Sequence, residues 1–153
     1  MAGRWHNVVV EILRELCDEW KEDGRYKKVC LGNSDPIAVS YRKTTYYYQP
    51  DLYGLRPREV TDIYEVIDTE TEGEAVMDIV YSALVPRVNV LQMVFSEEWK
   101  AEAIRDHATI LLNRFHDDGK AFQRIYRPKY FVYLPRGTSR SKMKRTLRRE
   151  LEF

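Results

Sequence analysis

Two acidic residues between positions 49 and 68 have the types and spacing that could support metal chemistry. Period-two alternation over residues 62–67 places Glu65 between Ile63 and Ile67 on one face of a predicted strand, whose other face is also apolar. A strand with two apolar faces is typical of the centre of a sheet. Burying a lone carboxylate there is costly unless it is paired or bound to a cation. The sequence therefore predicts a partner for Glu65.

Asp51 is the predicted partner of Glu65. It opens a strand at residues 51–55, which a turn joins to residues 62–67 as a hairpin. Two close carboxylates repel and raise each other's pKa unless a divalent cation neutralises them. Mg²⁺ or Mn²⁺ between Asp51, Glu65 and a backbone carbonyl would relieve that cost and activate a water for attack on a phosphodiester. The alternative is that Glu65 pairs with an arginine such as Arg56 or Arg87.

A sheet must hold these acids in place, and the rest of the chain predicts one. Thr71 and Glu74 have the spacing of a capping box that begins a helix. The predicted order is helix 5–22, strands 26–31, 37–41, 44–48, 51–55 and 62–67, helix from 71, strand 88–95, helix 96–116 and strand 130–134. A strand–helix–strand step implies a right-handed crossover and a partly parallel sheet. We expect an α/β fold, with a mixed β-sheet core flanked by helices on both faces.

The order of these features resembles the PD-(D/E)xK nuclease superfamily, which covers restriction endonucleases, archaeal Holliday-junction resolvases and related repair nucleases. In that superfamily a Pro-Asp begins one hairpin strand and an acid-x-Lys lies on the next. Pro50-Asp51, Glu65-Val66-Ile67, the helix from Thr71 and strand 88–95 follow that order. The resemblance implies a restriction-endonuclease-like αβββαβ fold and a metal-dependent deoxyribonuclease. It also implies Asp51 and Glu65 as catalytic metal ligands, the carbonyl of Val66 as a third ligand, and a homodimer that cuts two strands.

One position departs from the superfamily pattern. Ile67 stands where the lysine belongs, and its side chain can neither orient a water nor stabilise charge on a phosphate. Lys43 and Gln49 are the candidates to replace it, Lys43 as a displaced basic group and Gln49 as an amide that orients a water. Two functions remain open: a metal-dependent DNA endonuclease, or a catalytically inactive nuclease-like domain that binds nucleic acid or a protein partner.

Residues 136–153 form a basic tail after a domain predicted at residues 1–135. Residues 135–153 carry seven basic and two acidic side chains, whereas the other 134 residues carry 18 basic and 22 acidic ones. This asymmetry favours a polyanionic partner, with a solvated terminal helix as the alternative. Fourfold spacing of Met143, Leu147 and Leu151 predicts a short helix with one apolar edge. The candidate nucleic-acid-binding residues are Arg136, Arg140, Lys142, Lys144, Arg145, Arg148 and Arg149.

Composition and missing motifs limit the remaining function classes. The 153 residues are 44% hydrophobic and 32% charged, which is typical of a folded domain. No apolar run approaches the roughly 18 residues of a membrane-spanning helix, no signal peptide is recognisable, and two cysteines are too few for a disulfide framework. We therefore expect an intracellular, cytoplasmic protein without a membrane partner. No phosphate-binding loop, dinucleotide fingerprint or nucleophile elbow is present.

Other acidic residues and the histidines receive no predicted role in the site. His6, His107 and His116 lack metal-ligand spacing and are predicted to be surface or helix-end residues. The acidic run of Asp68, Glu70, Glu72 and Glu74 is predicted to be a solvated loop and helix start, with a metal contact from Asp68 as the alternative.

Overall fold

A computed structural model describes residues 3–114 and 131–151 of the chain. The helices are α1 (Arg4–Glu22), α2 (Glu72–Leu84), α3 (Glu98–Arg114) and α4 (Arg140–Leu151). The strands are β1 (Lys28–Cys30), β2 (Ile37–Tyr41), β3 (Thr44–Tyr48), β4 (Leu52–Leu55), β5 (Thr61–Ile67), β6 (Val88–Phe95) and β7 (Phe131–Tyr133). Residues 115–130 lie outside the described part of the chain. They include the end of the predicted helix 96–116, with His116, and the first residue of the predicted strand 130–134.

Five strands form the main sheet, in the order β1-β4-β5-β6-β7. β4 is antiparallel to both β1 and β5, whereas β6 is parallel to both β5 and β7. Both the predicted hairpin and the predicted parallel step through α2 are therefore confirmed. Every residue of β5 is buried, as expected for a strand whose two faces are both apolar and both covered.

Helices cover both faces of this sheet. Even-numbered residues of β5, such as Tyr64 and Val66, pack into one apolar cluster with α1 and α4. Odd-numbered residues, such as Ile63 and Ile67, pack into a second cluster with α2 and α3. The structure confirms the predicted mixed α/β architecture with helices on both faces. Because strand residues alternate between faces, Glu65 is directed to the same side as α2.

The strands β2 and β3 form a separate two-stranded hairpin that packs against α2. Tyr48 is buried, and its hydroxyl lies 3.0 Å from the hydroxyl of Ser82 on α2. Tyr46 stacks on Tyr81 of the same helix, with ring centroids 4.6 Å apart, whereas Tyr47 on the opposite face is 59% exposed. These contacts fix the hairpin beside the end of β4 where Asp51 lies.

The C-terminal helix α4 packs on α1 as part of the main core. Its predicted apolar edge is confirmed, since Met143, Leu147 and Leu151 are all buried in the cluster that also contains Leu16 of α1. Burying three such side chains makes α4 an integral element of the folded body and fixes the direction of its basic faces.

Candidate functional site

Asp51 and Glu65 lie side by side where β4 begins opposite β5. The register pairs Leu52 with Tyr64, so one step further out places Asp51 opposite Glu65. The Asp51 N–H donates to Oε1 of Glu65 at 2.8 Å, and the Val66 N–H donates to Oδ2 of Asp51 at 2.8 Å. Each carboxylate thus accepts a hydrogen bond from a backbone N–H of the opposite chain segment, just beyond the last paired residues of the ladder. The structure brings together the two acids that the sequence paired.

Asp78 of α2 is a third acid beside Asp51 and Glu65, and it was not predicted from the sequence. Glu65 is only 5% exposed and shares a hydrogen bond with Asp78. Burial, followed by the proximity of Asp78 and Asp51, raises the pKa of Glu65 well above its usual value. Burial and the neighbouring acids also raise the pKa of Asp78, to about 6. The two raised pKa values favour retention of a proton between these carboxyl groups.

His6 on the first turn of α1 completes the surroundings of Asp51. Its Nε2–H donates to Oδ1 of Asp51 at 3.1 Å, and its side chain is 12% exposed. This hydrogen bond raises the pKa of His6 against the opposing effect of burial. From the sequence, His6 is predicted to be a surface or helix-end residue without a role in the site. The structure shows that it holds one oxygen of Asp51, while the Val66 N–H holds the other.

A large acidic cleft opens in front of these residues. Its volume is about 1040 Å³. Six carboxylates line it, from Asp51, Glu65, Glu70, Glu72, Glu74 and Asp78. Apolar side chains of α2 and α3, including Met77 and Ile110, form the rest of the wall. Most of the acidic run predicted as a solvated loop and helix start thus faces a shared cavity, whose negative potential attracts cations and repels phosphates.

Asp68 lies behind this cleft in a network of its own. Ser96 donates to Oδ1 of Asp68 at 2.6 Å, and Arg136 donates to the same oxygen. Burial would raise the pKa of Asp68, but these donors hold it below its usual value. The buried Lys100 ammonium donates to the carbonyls of Asp68 and Glu70, both at 2.8 Å. Asp68 and Arg136 therefore fix the chain where it leaves β5.

The positions proposed to replace the superfamily lysine are spread apart. Ile67 is buried in the cluster shared with α2 and α3. Gln49 is exposed and lines a pocket of about 430 Å³ together with His6 and Asp51. Lys43 lies in the exposed turn between β2 and β3, next to Arg42 with its positive φ of 56°. Of these positions, Gln49 and not Lys43 shares a pocket with the paired acids.

The donor chemistry of the site suits a hard cation, although the acids are not arranged as a ready-made cage. Carboxylate oxygens are the ligands that Mg²⁺ and Mn²⁺ prefer. Within residues 3–114 and 131–151, however, no three His, Cys, Asp or Glu side chains converge in a way that could hold a metal ion. Oδ1 of Asp51 accepts a hydrogen bond from His6, and the raised pKa of Glu65 favours a proton on its carboxyl group. A cation held by Asp51 and Glu65 would have to displace that proton.

Neither arginine suggested as a partner for Glu65 is directed at it. Arg56 donates through Nε to Asp62 at 2.8 Å, and Arg87 donates to the carbonyl of Arg58 at 2.7 Å. The described partners of Glu65 are the Asp51 N–H and the Asp78 carboxyl group. The Glu65 carboxyl group is thus bounded by a backbone N–H and by a second acid.

Much of the basic tail is engaged by α1. Glutamates one turn apart on α1 face basic residues one turn apart on α4, at distances between 2.5 and 3.4 Å. The ion pairs are Arg140 with Glu11 and Glu15, Lys144 with Glu15 and Glu19, and Arg148 with Glu19. Lys142, Arg145 and Arg149 are exposed on another side of α4, where Arg149 contacts Glu150 of its own helix. This exposed trio is the part of the tail directed to solvent.

Among the described residues, no helix is both long enough and apolar enough to cross a bilayer. Comparison of the chain with known proteins gives no match: no protein-family model, no curated protein and no solved structure is similar to it.

Proposed function

We propose that this protein is a metal-dependent DNA endonuclease of the PD-(D/E)xK type, in which Asp51 and Glu65 hold Mg²⁺ or Mn²⁺. The observation that carries the proposal is the pairing of these two carboxylates, one of them buried, where the β4–β5 hairpin opens into a cleft. The order of α1, the hairpin, α2 and β6 supports a restriction-endonuclease-like fold. A buried acid pair kept at the cost of desolvation is typical of a functional site.

The residues around the pair have separable roles in this proposal. Asp51, Glu65 and the carbonyl of Val66 would hold the cation, which when bound polarises a phosphodiester and lowers the pKa of a water. His6 orients the Asp51 carboxylate, and the Gln49 amide lies in the same pocket, where it is placed to orient a water. Lys43 remains a candidate for contact with the phosphate backbone from the exposed β2–β3 turn.

Charge in the cleft gives a physical reason for metal dependence. Six carboxylates around one cavity repel a DNA phosphate unless a cation neutralises them. On the opposite face of the sheet, Lys142, Arg145 and Arg149 offer a positive surface for the DNA backbone. We further propose that two copies act together to cut both strands, and that the protein works inside the cell, where its free cysteines Cys17 and Cys30 stay reduced.

The alternative is a catalytically inactive nuclease-like domain that binds nucleic acid or a protein partner. The observation that favours it is the burial of Ile67 in the apolar cluster beneath α2 and α3, at the position where the superfamily has its lysine. An apolar side chain there supplies no charge to a reacting phosphate. Under this alternative the acid pair is retained, but cleavage is lost.

Cleavage of labelled DNA tests the proposal against this alternative. Branched, single-stranded and duplex DNA are incubated with wild type and with the Asp51→Asn/Glu65→Gln variant, in Mg²⁺, Mn²⁺ or EDTA. We expect cleavage by wild type that needs the cation and falls about 100-fold or more in the variant. Glu102→Gln, which removes an exposed acid of α3, is the matched control and should cleave like wild type. DNA binding without cleavage in any cation would favour the inactive domain.

A further inference from the structure

We propose that a second pocket, between the N-terminal turns of α1 and α4, binds a phosphate group of a nucleic-acid strand. The assignment of the phosphate to nucleic acid rests on the proposed function, whereas the preference for a phosphate rests on the pocket itself. Its volume is about 450 Å³. It is lined by Arg4, Trp5 and Val8 of α1 and by Gly137, Thr138, Arg140 and Met143 at the start of α4.

The indole of Trp5 provides a buried donor without an acceptor. Trp5 lines the pocket and is only 8% exposed. Its Nε1–H is fully buried, and within the described part of the chain it has no hydrogen-bond partner. A buried donor left unsatisfied costs free energy, and a buried indole N–H usually finds a partner. A ligand oxygen in this pocket would satisfy it.

Positive potential converges on the same pocket from both helices. α1 and α4 run parallel, because Arg140 pairs with Glu11 at one end while Arg148 pairs with Glu19 at the other. Residues at the starts of both helices line the same pocket, and neither helix has an acidic residue in its first turn. The free N–H groups and the dipoles of two helix N-termini favour an anion.

Two arginines add charge unequally to this pocket. Arg4 is exposed and forms no ion pair with any described residue, so its guanidinium is available to a ligand. Arg140 also lines the pocket, but its guanidinium is neutralised by Glu11 and Glu15. The Thr138 hydroxyl is already used as a donor to the carbonyl of Pro135. The principal donors to an anion are thus Arg4, the Trp5 indole and the helix N-termini.

The size and position of the pocket favour a phosphate that belongs to a strand. The volume far exceeds that of a lone oxyanion, and the apolar side chains of Val8 and Met143 line the remaining space, where a sugar would pack. The same first turn of α1 carries His6, which contacts Asp51 in the candidate cleavage site. A phosphate held here would contact the same helix turn that holds Asp51 through His6.

The three tryptophan indoles, of Trp5, Trp20 and Trp99, allow a direct test by two-dimensional NMR of the ¹⁵N-labelled protein without divalent cations. Inorganic phosphate and then a 5′-phosphorylated trinucleotide are titrated, and Trp5→Phe assigns the indole signal. We expect a saturable shift of the Trp5 N–H with both probes. Arg4→Ala should weaken both by about tenfold, the loss expected for one charge-assisted hydrogen bond. Arg14→Ala removes another exposed arginine of α1 and should bind like wild type.

Results that differ from these expectations would overturn specific parts of the proposal. The pocket would not be a phosphate site if the Trp5 indole N–H signal showed no saturable shift. The same conclusion would follow if Arg14→Ala weakened phosphate binding as much as Arg4→Ala. If inorganic phosphate binds but the trinucleotide does not, the pocket does not take its phosphate from a nucleic-acid strand. The titration contains no divalent cation and therefore does not depend on cleavage. If Asp51→Asn/Glu65→Gln loses nuclease activity but binds phosphate like wild type, the two sites are separable.

Discussion

Glu65 on β5 and Asp78 on α2 are hydrogen-bonded to each other although both are acids. Such a contact requires a proton between them, and burial favours keeping it because a second charge could not be solvated. Asp51 lies beside the pair and adds to the repulsion. A proton on this pair therefore competes with a cation for the same carboxylate oxygens.

We expect this pair to make stability fall as pH rises. The pKa of Asp78 is raised to about 6 and that of Glu65 well above its usual value, so the folded chain binds more protons than the unfolded one. This contribution to stability is present at low pH and is lost as pH rises through about 6 and on through the pKa of Glu65. In thermal unfolding experiments from about pH 5 to 8, the Tm of Asp78→Asn should fall less with rising pH than the Tm of wild type.

Asp78→Asn should accordingly be more stable than wild type at about pH 8, by on the order of 1 to 3 kcal/mol, because it removes a buried charge that repels its neighbours. Glu102→Gln removes an exposed acid of the adjacent helix and should follow the wild-type profile. A parallel loss of stability with pH in wild type and Asp78→Asn would show that the proton is not shared between these acids.

Binding of Mn²⁺ or Mg²⁺ should release a proton. Because the cation would take the place of the proton on Glu65, its affinity should increase with pH. Calorimetric titration in two buffers of different ionisation enthalpy measures the number of protons released per cation, which we expect to fall as pH rises through the raised pKa values. Asp51→Asn/Glu65→Gln should abolish both the heat and the metal-dependent rise in Tm. Cation binding without proton release would place the cation elsewhere in the cleft.

The parts of the site that follow period-two alternation could be predicted from the sequence. Glu65 between apolar neighbours on a central strand, and Asp51 on the strand before it, emerge from local pattern alone. Asp78 could not be paired with Glu65 from period-two alternation, because it lies on a helix. The buried face of that helix runs through Ala75, Ile79 and Ser82. Asp78 lies three residues after Ala75 and four before Ser82, which was the available signal.

Contacts between distant parts of the chain could not be predicted. His6 and Asp51 are 45 positions apart, and nothing in local spacing brings a helix start to a strand start. The ladder between α1 and α4 joins residues about 129 positions apart, so the basic tail was interpreted from its charge alone. Ser96 donates to Asp68, which is 28 positions away in the sequence. In each case a long-range partner determines the role of a polar side chain.

His6 should titrate above its usual pKa of 6.5, because the hydrogen bond to Asp51 favours the imidazolium over the opposing effect of burial. Its contribution to stability is then complete below about 6.5 and is lost as pH rises through the raised value. The Cε1–H proton shift of His6 measures the titration directly. Asp51→Asn should lower the pKa of His6, whereas Glu102→Gln should leave it unchanged. An unchanged titration in Asp51→Asn would show that Asp51 does not hold the ring.

The ion pairs between α1 and α4 divide the tail into two sets that should differ in DNA binding. Lys142, Arg145 and Arg149 are exposed on one side, whereas Arg140, Lys144 and Arg148 are engaged by glutamates of α1. Each phosphate contact adds about 0.9 to the slope of log K against log salt. Replacing the exposed trio with alanine should therefore reduce the magnitude of the slope by about 3 if each residue contacts one phosphate.

Alanine at Arg140, Lys144 and Arg148 is the matched control for this measurement, since it removes the same formal charge from the same helix. Because those cations are already neutralised by Glu11, Glu15 and Glu19, their loss should change the slope less than loss of the exposed trio. Fluorescence anisotropy of a labelled duplex at several salt concentrations, without divalent cations, gives both slopes. Equal slopes in the two triple variants would mean that DNA does not approach α4 from its exposed side, because only the position of the charges differs between them.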